Sequence, residues 1–191
     1  MTAKELYLYA LDQASTVVGQ VSPDQLNLPT PCTEWDVRAL MNHIFYELAW
    51  AADIVSGKTI AEVGDVYEGD LLGDDFLLSW RKFELATRQS VQNASERTKA
   101  HLSYGDKPLN DYLLEAGNDI LVHAWDLGQA IGVTVQFDPA VTQTLYETAV
   151  KTKAEIAKSG LFAPPVQVPE SSSLQVKLLA LLGRSENWKN L

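Results

Sequence analysis

N-D-I-L-V-H-A-W-D-L-G-Q-A-I-G, residues 118–132, decides how the rest of the chain is read. Ile120, Val122, Leu127 and Ile131 are apolar, and Gly132 stands where a helix commonly stops, so the stretch predicts the second half of a helix. Asp119 and His123 lie four residues apart within it. On a helix that spacing stacks two side chains on one face, about 6 Å apart along the axis. A carboxylate and an imidazole so placed can converge on one small object, and the usual one is a metal ion. The plainer reading is a solvated helix face, or a core histidine held by a neighbouring carboxylate. A third ligand is needed to separate the two.

A second helix supplies that ligand. Thr33 is the expected N-cap, with Glu34 and Asp36 placing negative charge in the first turn. Val37, Leu40, Met41, Ile44, Phe45, Leu48, Ala51 and Ile54 then form a wide apolar stripe that ends before Gly57. His43 falls beside this stripe, and by itself it reads most simply as a satisfied core histidine. Together with Asp119 and His123 it completes a set of two histidines and one carboxylate. Three protein ligands leave coordination positions open for chemistry. Glu47, one turn after His43, is expected beside the site as a second-shell partner or a surface charge rather than as a fourth ligand.

The remainder is organised around these two helices. Thr2 is the expected cap of a first helix that reaches about residue 18, and Pro23, Pro29 and Pro31 make the following stretch a structured connection. The acidic residues of 58–75 lack the regular ligand pattern of a calcium loop and read as solvated. A third helix is expected over about 74–100, with His101 at its frayed end and no ligand role. The helix carrying Asp119 is expected to open near Pro108. Asp138-Pro139 signals a fifth helix running to Gly160, and Ser171 or Ser172 signals a last short one stopped by Gly183. The fold class is therefore all-α: a four-helix bundle with additional short C-terminal helices. The expected organisation is a helical metal-binding unit over 1–160, with the tail 161–191 packed on the same domain.

Composition narrows the function. Hydrophobic residues make up 46% of the 191 and charged ones 21%, as in ordinary globular chains. A formal net charge of -10 speaks against nucleic acid as a partner. No stretch approaches the ~18 apolar residues of a membrane span, and the N-terminus lacks a signal-peptide pattern, so a cytoplasmic protein is expected. Cys32 is the single cysteine, which excludes an internal disulfide. It precedes a helix N-terminus, but a buried structural role is the favoured reading. Trp35, Trp50 and Trp125 read as core or pocket walls, and Asp126 as an anchor for a polar neighbour, with Arg38 one candidate.

T-P-C-T-E-W-D-V-R-A-L-M-N-H-I (30–44), L-V-H-A-W-D-L-G-Q-A-I-G (121–132) and A-P-P-V-Q-V-P with L-L-A-L-L-G-R (163–184) also carry a family resemblance. They resemble the metal-binding bundle family related to DinB and to the N-terminal domain of mycothiol-dependent maleylpyruvate isomerase. The resemblance implies a bundle with up-up-down-down connections and a divalent metal, zinc or nickel. It matches the family's first ligand histidine to His43 and its carboxylate-x-x-x-His pair to Asp119 and His123. The isomerase has Glu where this chain has Asp119, one methylene shorter, and it has a separate C-terminal domain in place of the short tail. The implied activity is that of a transferase or isomerase dependent on a metal and a low-molecular-weight thiol such as mycothiol, acting on a small-molecule substrate; a homodimer is a possible assembly. A non-catalytic metal-binding or sensing module and a metal-dependent hydrolase are the alternative readings.

Overall fold

The computed structural model describes residues 1–95, 97–160 and 162–189. The protein is mostly helical. In chain order it comprises α1 (Ala3–Val18), a 3-10 turn (Pro23–Gln25), α2 (Val37–Val55), α3 (Ile60–Val63) and α4 (Phe76–Asn93). A hairpin of β1 (Lys99–Leu102) and β2 (Gly105–Pro108) precedes α5 (Leu109–Ile131), α6 (Pro139–Lys151), α7 (Lys153–Ser159) and α8 (Leu174–Leu181).

Local signals set most of these boundaries. Thr2 and Glu5 form a reciprocal capping box at the start of α1. The Asp138 carboxylate accepts the amides of Ala140 and Val141 to open α6. Gly132 closes α5 in the left-handed conformation, at φ 78°. Helix α1 packs on α5, α5 on α2, α2 on α4, and α4 back on α1, a closed cycle around a shared apolar core. Gly117 sets the closest approach of α1 to α5. A Cβ there would lie 2.9 Å from Leu6 Cδ2 and 3.2 Å from Tyr7 Cα, so any other residue would displace the Leu6 side chain and ease the two backbones apart by a few tenths of an ångström. Leu178, Leu179 and Leu182 of the tail are buried and join the same core.

Several boundaries differ from the sequence expectations. Helix α2 is capped by Asp36, whose carboxylate accepts the Ala39 amide at 2.8 Å, and not by Thr33. The cause is an antiparallel bridge between Pro29 and Asp36, which holds residues 32–35 in a turn. The Thr30 hydroxyl clamps that turn by donating to the Trp35 carbonyl. Helix α4 ends at Asn93 rather than near residue 100, because the chain next pairs as a hairpin with Leu102 opposite Gly105. Gly105, at φ 119°, makes the tight reversal possible. The helix expected over 139–160 breaks at Thr152. Thr144, Thr148 and Thr152 each donate a hydroxyl to the carbonyl four residues back, a pattern that bends helices. Ser173, not Ser171 or Ser172, caps α8.

Candidate metal centre

His43 and Glu47 project from α2, and Asp119, His123 and Asp126 from α5, so the contact between these two helices brings all five side chains into one region. Both imidazoles turn their Nε2 atoms to the Asp119 carboxylate. His43 Nε2 lies 3.4 Å from one oxygen and His123 Nε2 3.5 Å from the other. These separations are long for hydrogen bonds. They suit the edges of a coordination shell: donors about 2.0–2.2 Å from a zinc-like ion stand roughly 3–3.5 Å apart. His43, Asp119 and His123 are one of two groups among the described residues whose donor atoms are close enough to share an ion. The donor set, two imidazoles and a carboxylate, fits a borderline divalent metal.

Trp35 covers this group. Its ring lies 4.7 Å from the His43 ring and 5.8 Å from the His123 ring, and the two imidazoles meet edge to face at 4.9 Å. The turn over 32–35 that displaced the start of α2 is what puts Trp35 there.

The other ring nitrogen of His123 enters a separate network. Asp126 is fully buried, and its Oδ2 lies 3.1 Å from His123 Nδ1. With Nδ1–H donating to Asp126, Nε2 presents its lone pair to the Asp119 side. Asp126 is held in turn by Arg184, whose Nη2 donates to Oδ2 at 2.8 Å and whose Nε lies 3.3 Å from both oxygens. The Cys32 thiol donates to the same Oδ2 at 3.2 Å, and Arg184 Nη2 stands 3.4 Å from its sulfur. Cys32, His123 and Asp126 are the second group with ion-binding spacing. Arg184 already supplies the positive charge there, so the first group is the better cation site.

The charges on this network act on one another. Burial pushes the Asp119 carboxyl up, but the His123 and His43 imidazoles act oppositely and hold it below the usual carboxylate range. Burial pulls His123 down, yet Asp119 and Asp126 prevail and raise it well above the ordinary imidazole value. Burial also raises Asp126, and His123 with Arg184 brings it below normal. Burial and the Asp119 charge raise Glu47, against a smaller pull from His43 and His123.

Residues 8–128 match the family described as the mycothiol maleylpyruvate isomerase N-terminal domain. The chain belongs to this family. The matched span includes His43, Asp119 and His123 and ends before Arg184. Two uncharacterized proteins of Mycobacterium tuberculosis, from strains CDC 1551 / Oshkosh and ATCC 25618 / H37Rv, are each 26% identical to the chain over 184 residues. Each alignment covers 92% of this chain and 94% of the relative. No solved structure gives a significant match.

Arg38 does not reach Asp126; it pairs with Asp70 at 2.7 Å. His101 pairs with Asp106 across the hairpin at 2.8 Å, away from the candidate centre. Cys32 is only partly buried and belongs to the polar network rather than to an inert core. Sequence reasoning missed Arg184, a tail residue with no local signal. The available hints were Asp126, a buried carboxylate three residues after His123, and the place of Arg184 at the end of the L-L-A-L-L-G-R stretch.

No helix among the described residues is long and apolar enough to cross a membrane.

Proposed function

We propose that His43, Asp119 and His123 bind one divalent metal, zinc or nickel, within a four-helix bundle of up-up-down-down connectivity, and that residues 161–191 belong to the same folding unit. The site serves a transferase or isomerase reaction that uses a low-molecular-weight thiol, with mycothiol the first choice because the family is described by a mycothiol enzyme. The observation that carries this reading is the pair of Nε2 atoms aimed at opposite oxygens of one carboxylate, at 3.4 and 3.5 Å.

A divalent metal held there would supply the positive field that keeps a bound thiol in its thiolate form near neutral pH. The protein's own groups do the rest. Asp126, locked by Arg184, holds the proton on His123 Nδ1 and so fixes the ring for binding through Nε2. Trp35 closes one side against water and offers an aromatic wall to an apolar electrophile. Glu47 stands in the pocket without serving as a ligand.

Cobalt substitution tests the reading. Adding mycothiol, bacillithiol or glutathione to the cobalt-loaded protein should produce a sulfur-to-metal charge-transfer band, which His123→Ala abolishes. A cobalt spectrum indifferent to every thiol would overturn the thiol assignment, and failure to bind cobalt would overturn the metal site.

A further inference from the structure

Helix α8 stops in a pair of nested backbone bonds. The Gly183 amide donates to the Ala180 carbonyl at 3.1 Å, and the Arg184 amide donates to the Leu179 carbonyl at 2.9 Å. Gly183 is left-handed there, at φ 79°, as this kind of helix stop requires. A side chain at 183 meets two obstacles. The left-handed backbone disfavours any Cβ, and a Cβ would lie 2.6 Å from the Ala163 carbonyl oxygen and 2.7 Å from the Ala163 Cβ. The carbonyl is backbone, so it yields only if its segment moves. That segment is itself fastened to the helix end, since the Val166 amide donates to the same Ala180 carbonyl at 2.9 Å.

The turn fixes the side chain that follows it. Arg184 Nη1 donates to the Leu182 carbonyl at 2.8 Å, and the guanidinium carbon lies 5.8 Å from the centre of the Phe162 ring. Nη2 is committed to Asp126 Oδ2, at 2.8 Å. A guanidinium is a rigid planar fork, so it meets a carboxylate well only over a narrow range of orientations. Asp126 Oδ2 lies 3.1 Å from His123 Nδ1, which carries the effect to the ring of a proposed metal ligand. Gly183 has no side chain, so it acts on that ring only through the backbone it shapes.

We propose that Gly183 is a positioning residue for the candidate metal centre. Its left-handed turn, packed against Ala163, aims Arg184 at Asp126, and Asp126 holds the His123 ring with Nε2 toward Asp119. Residues 162–166 and 180–184 thus clamp a ligand carried by α5, although the family match ends at residue 128. This rests on the metal reading given above and extends the support of that site to the tail.

A double-mutant cycle tests it. Zinc affinity by chelator competition, and urea unfolding of the metal-free protein, are measured for the parent, Gly183→Ala, Arg184→Met and the double variant. Each single variant should bind zinc about tenfold more weakly, the low end of what losing a ligand's supporting partner costs. In the double variant Gly183→Ala should add no further loss of affinity, because its route to His123 is already cut, while its destabilisation persists. The metal-free protein gives a second readout. The His123 Nδ1 proton, held by Asp126, should appear in nitrogen-edited proton NMR of the parent and be lost to solvent exchange in both single variants. Parent affinity in either single variant overturns the positioning role. So do affinity losses that multiply in the double variant, or an Nδ1 proton equally protected in all. If Gly183→Ala does not fold, Gly183→Asn, which suits the left-handed backbone better, takes its place in the same cycle. A parent that binds no divalent metal removes the metal reading, and the proposal with it.

Discussion

The two ring nitrogens of His123 face regions built on opposite principles. On the Nδ1 side, Asp126, Arg184 and Cys32 are bonded to one another, and Asp126 and Arg184 are buried to 0% and 9% exposure. On the Nε2 side, the His43 and His123 imidazoles stand 3.4 and 3.5 Å from the Asp119 carboxylate, looser than the contacts around Asp126. The side chains of His43 and Asp119 remain 24% and 32% exposed, and among the described residues the buried Tyr7 hydroxyl has no hydrogen-bond partner. The first region is complete without any ligand. The second holds its groups at looser separations and nearer to solvent. On the proposed metal reading, a histidine shared between them lets a rigid scaffold aim one nitrogen at the candidate metal site.

That contrast predicts different failures for the two sides. The largest effect falls on the complete side. Arg184→Met keeps the bulk of the side chain but leaves the Asp126 carboxylate buried without its countercharge. Breaking one partner of a buried pair costs about 3–5 kcal/mol, and urea unfolding of the metal-free protein should show a loss of that size. A loss below about 1 kcal/mol would mean that water or Cys32 compensates Asp126, and that the region is less closed than its bonding suggests.

His43→Ala attacks the open side instead. It should cost at least roughly a hundredfold in metal affinity, beyond the usual penalty of a supporting residue, while changing metal-free stability little. Metal analysis after dialysis, paired with urea unfolding, separates the two quantities. Stoichiometric metal retained by the variant would remove His43 from the ligand set.

Asp126→Asn probes the link between the regions. The amide retains the shape of the carboxylate but weakens its hold on the Nδ1 proton. Metal affinity should fall about 10–100-fold, less than for loss of a ligand. An Asp126→Asn variant with unchanged affinity would uncouple the two sides.

The sequence made one side of His123 far more legible than the other. Asp119, His123 and His43 came to notice because each sits at a regular interval on a helix whose apolar stripe is plain, and helix spacing is a local property. The capping box of Thr2 and the stop at Gly132 were readable for the same reason. Cys32 and Arg184 reach Asp126 across 94 and 58 residues, through a turn and a tail whose paths depend on packing. Arg38 was the natural candidate for Asp126, yet its place on α2 directs it to Asp70 in the acidic loop. The hairpin was hidden because its strands are only four residues each and the second, Gly105–Pro108, carries no alternation of apolar and polar residues. Asp36 displaced Thr33 as a cap through a bridge to Pro29, a pairing that no local rule announces.

The smallest expected effect belongs to Glu47, and it separates a metal ligand from a neighbouring charge. Glu47 shares a face of α2 with His43, but it is absent from the group whose donor atoms converge. Burial and the neighbouring Asp119 charge already raise its carboxyl, so its negative charge is opposed rather than recruited in the metal-free protein. Glu47→Gln preserves size and one oxygen acceptor and removes only the charge. Loss of one nearby charge changes the field at the metal by about 1 kcal/mol, so affinity should move by roughly fivefold or less. Metal loss as large as that of His43→Ala would make Glu47 a ligand. It would then extend the open side of His123 by one donor.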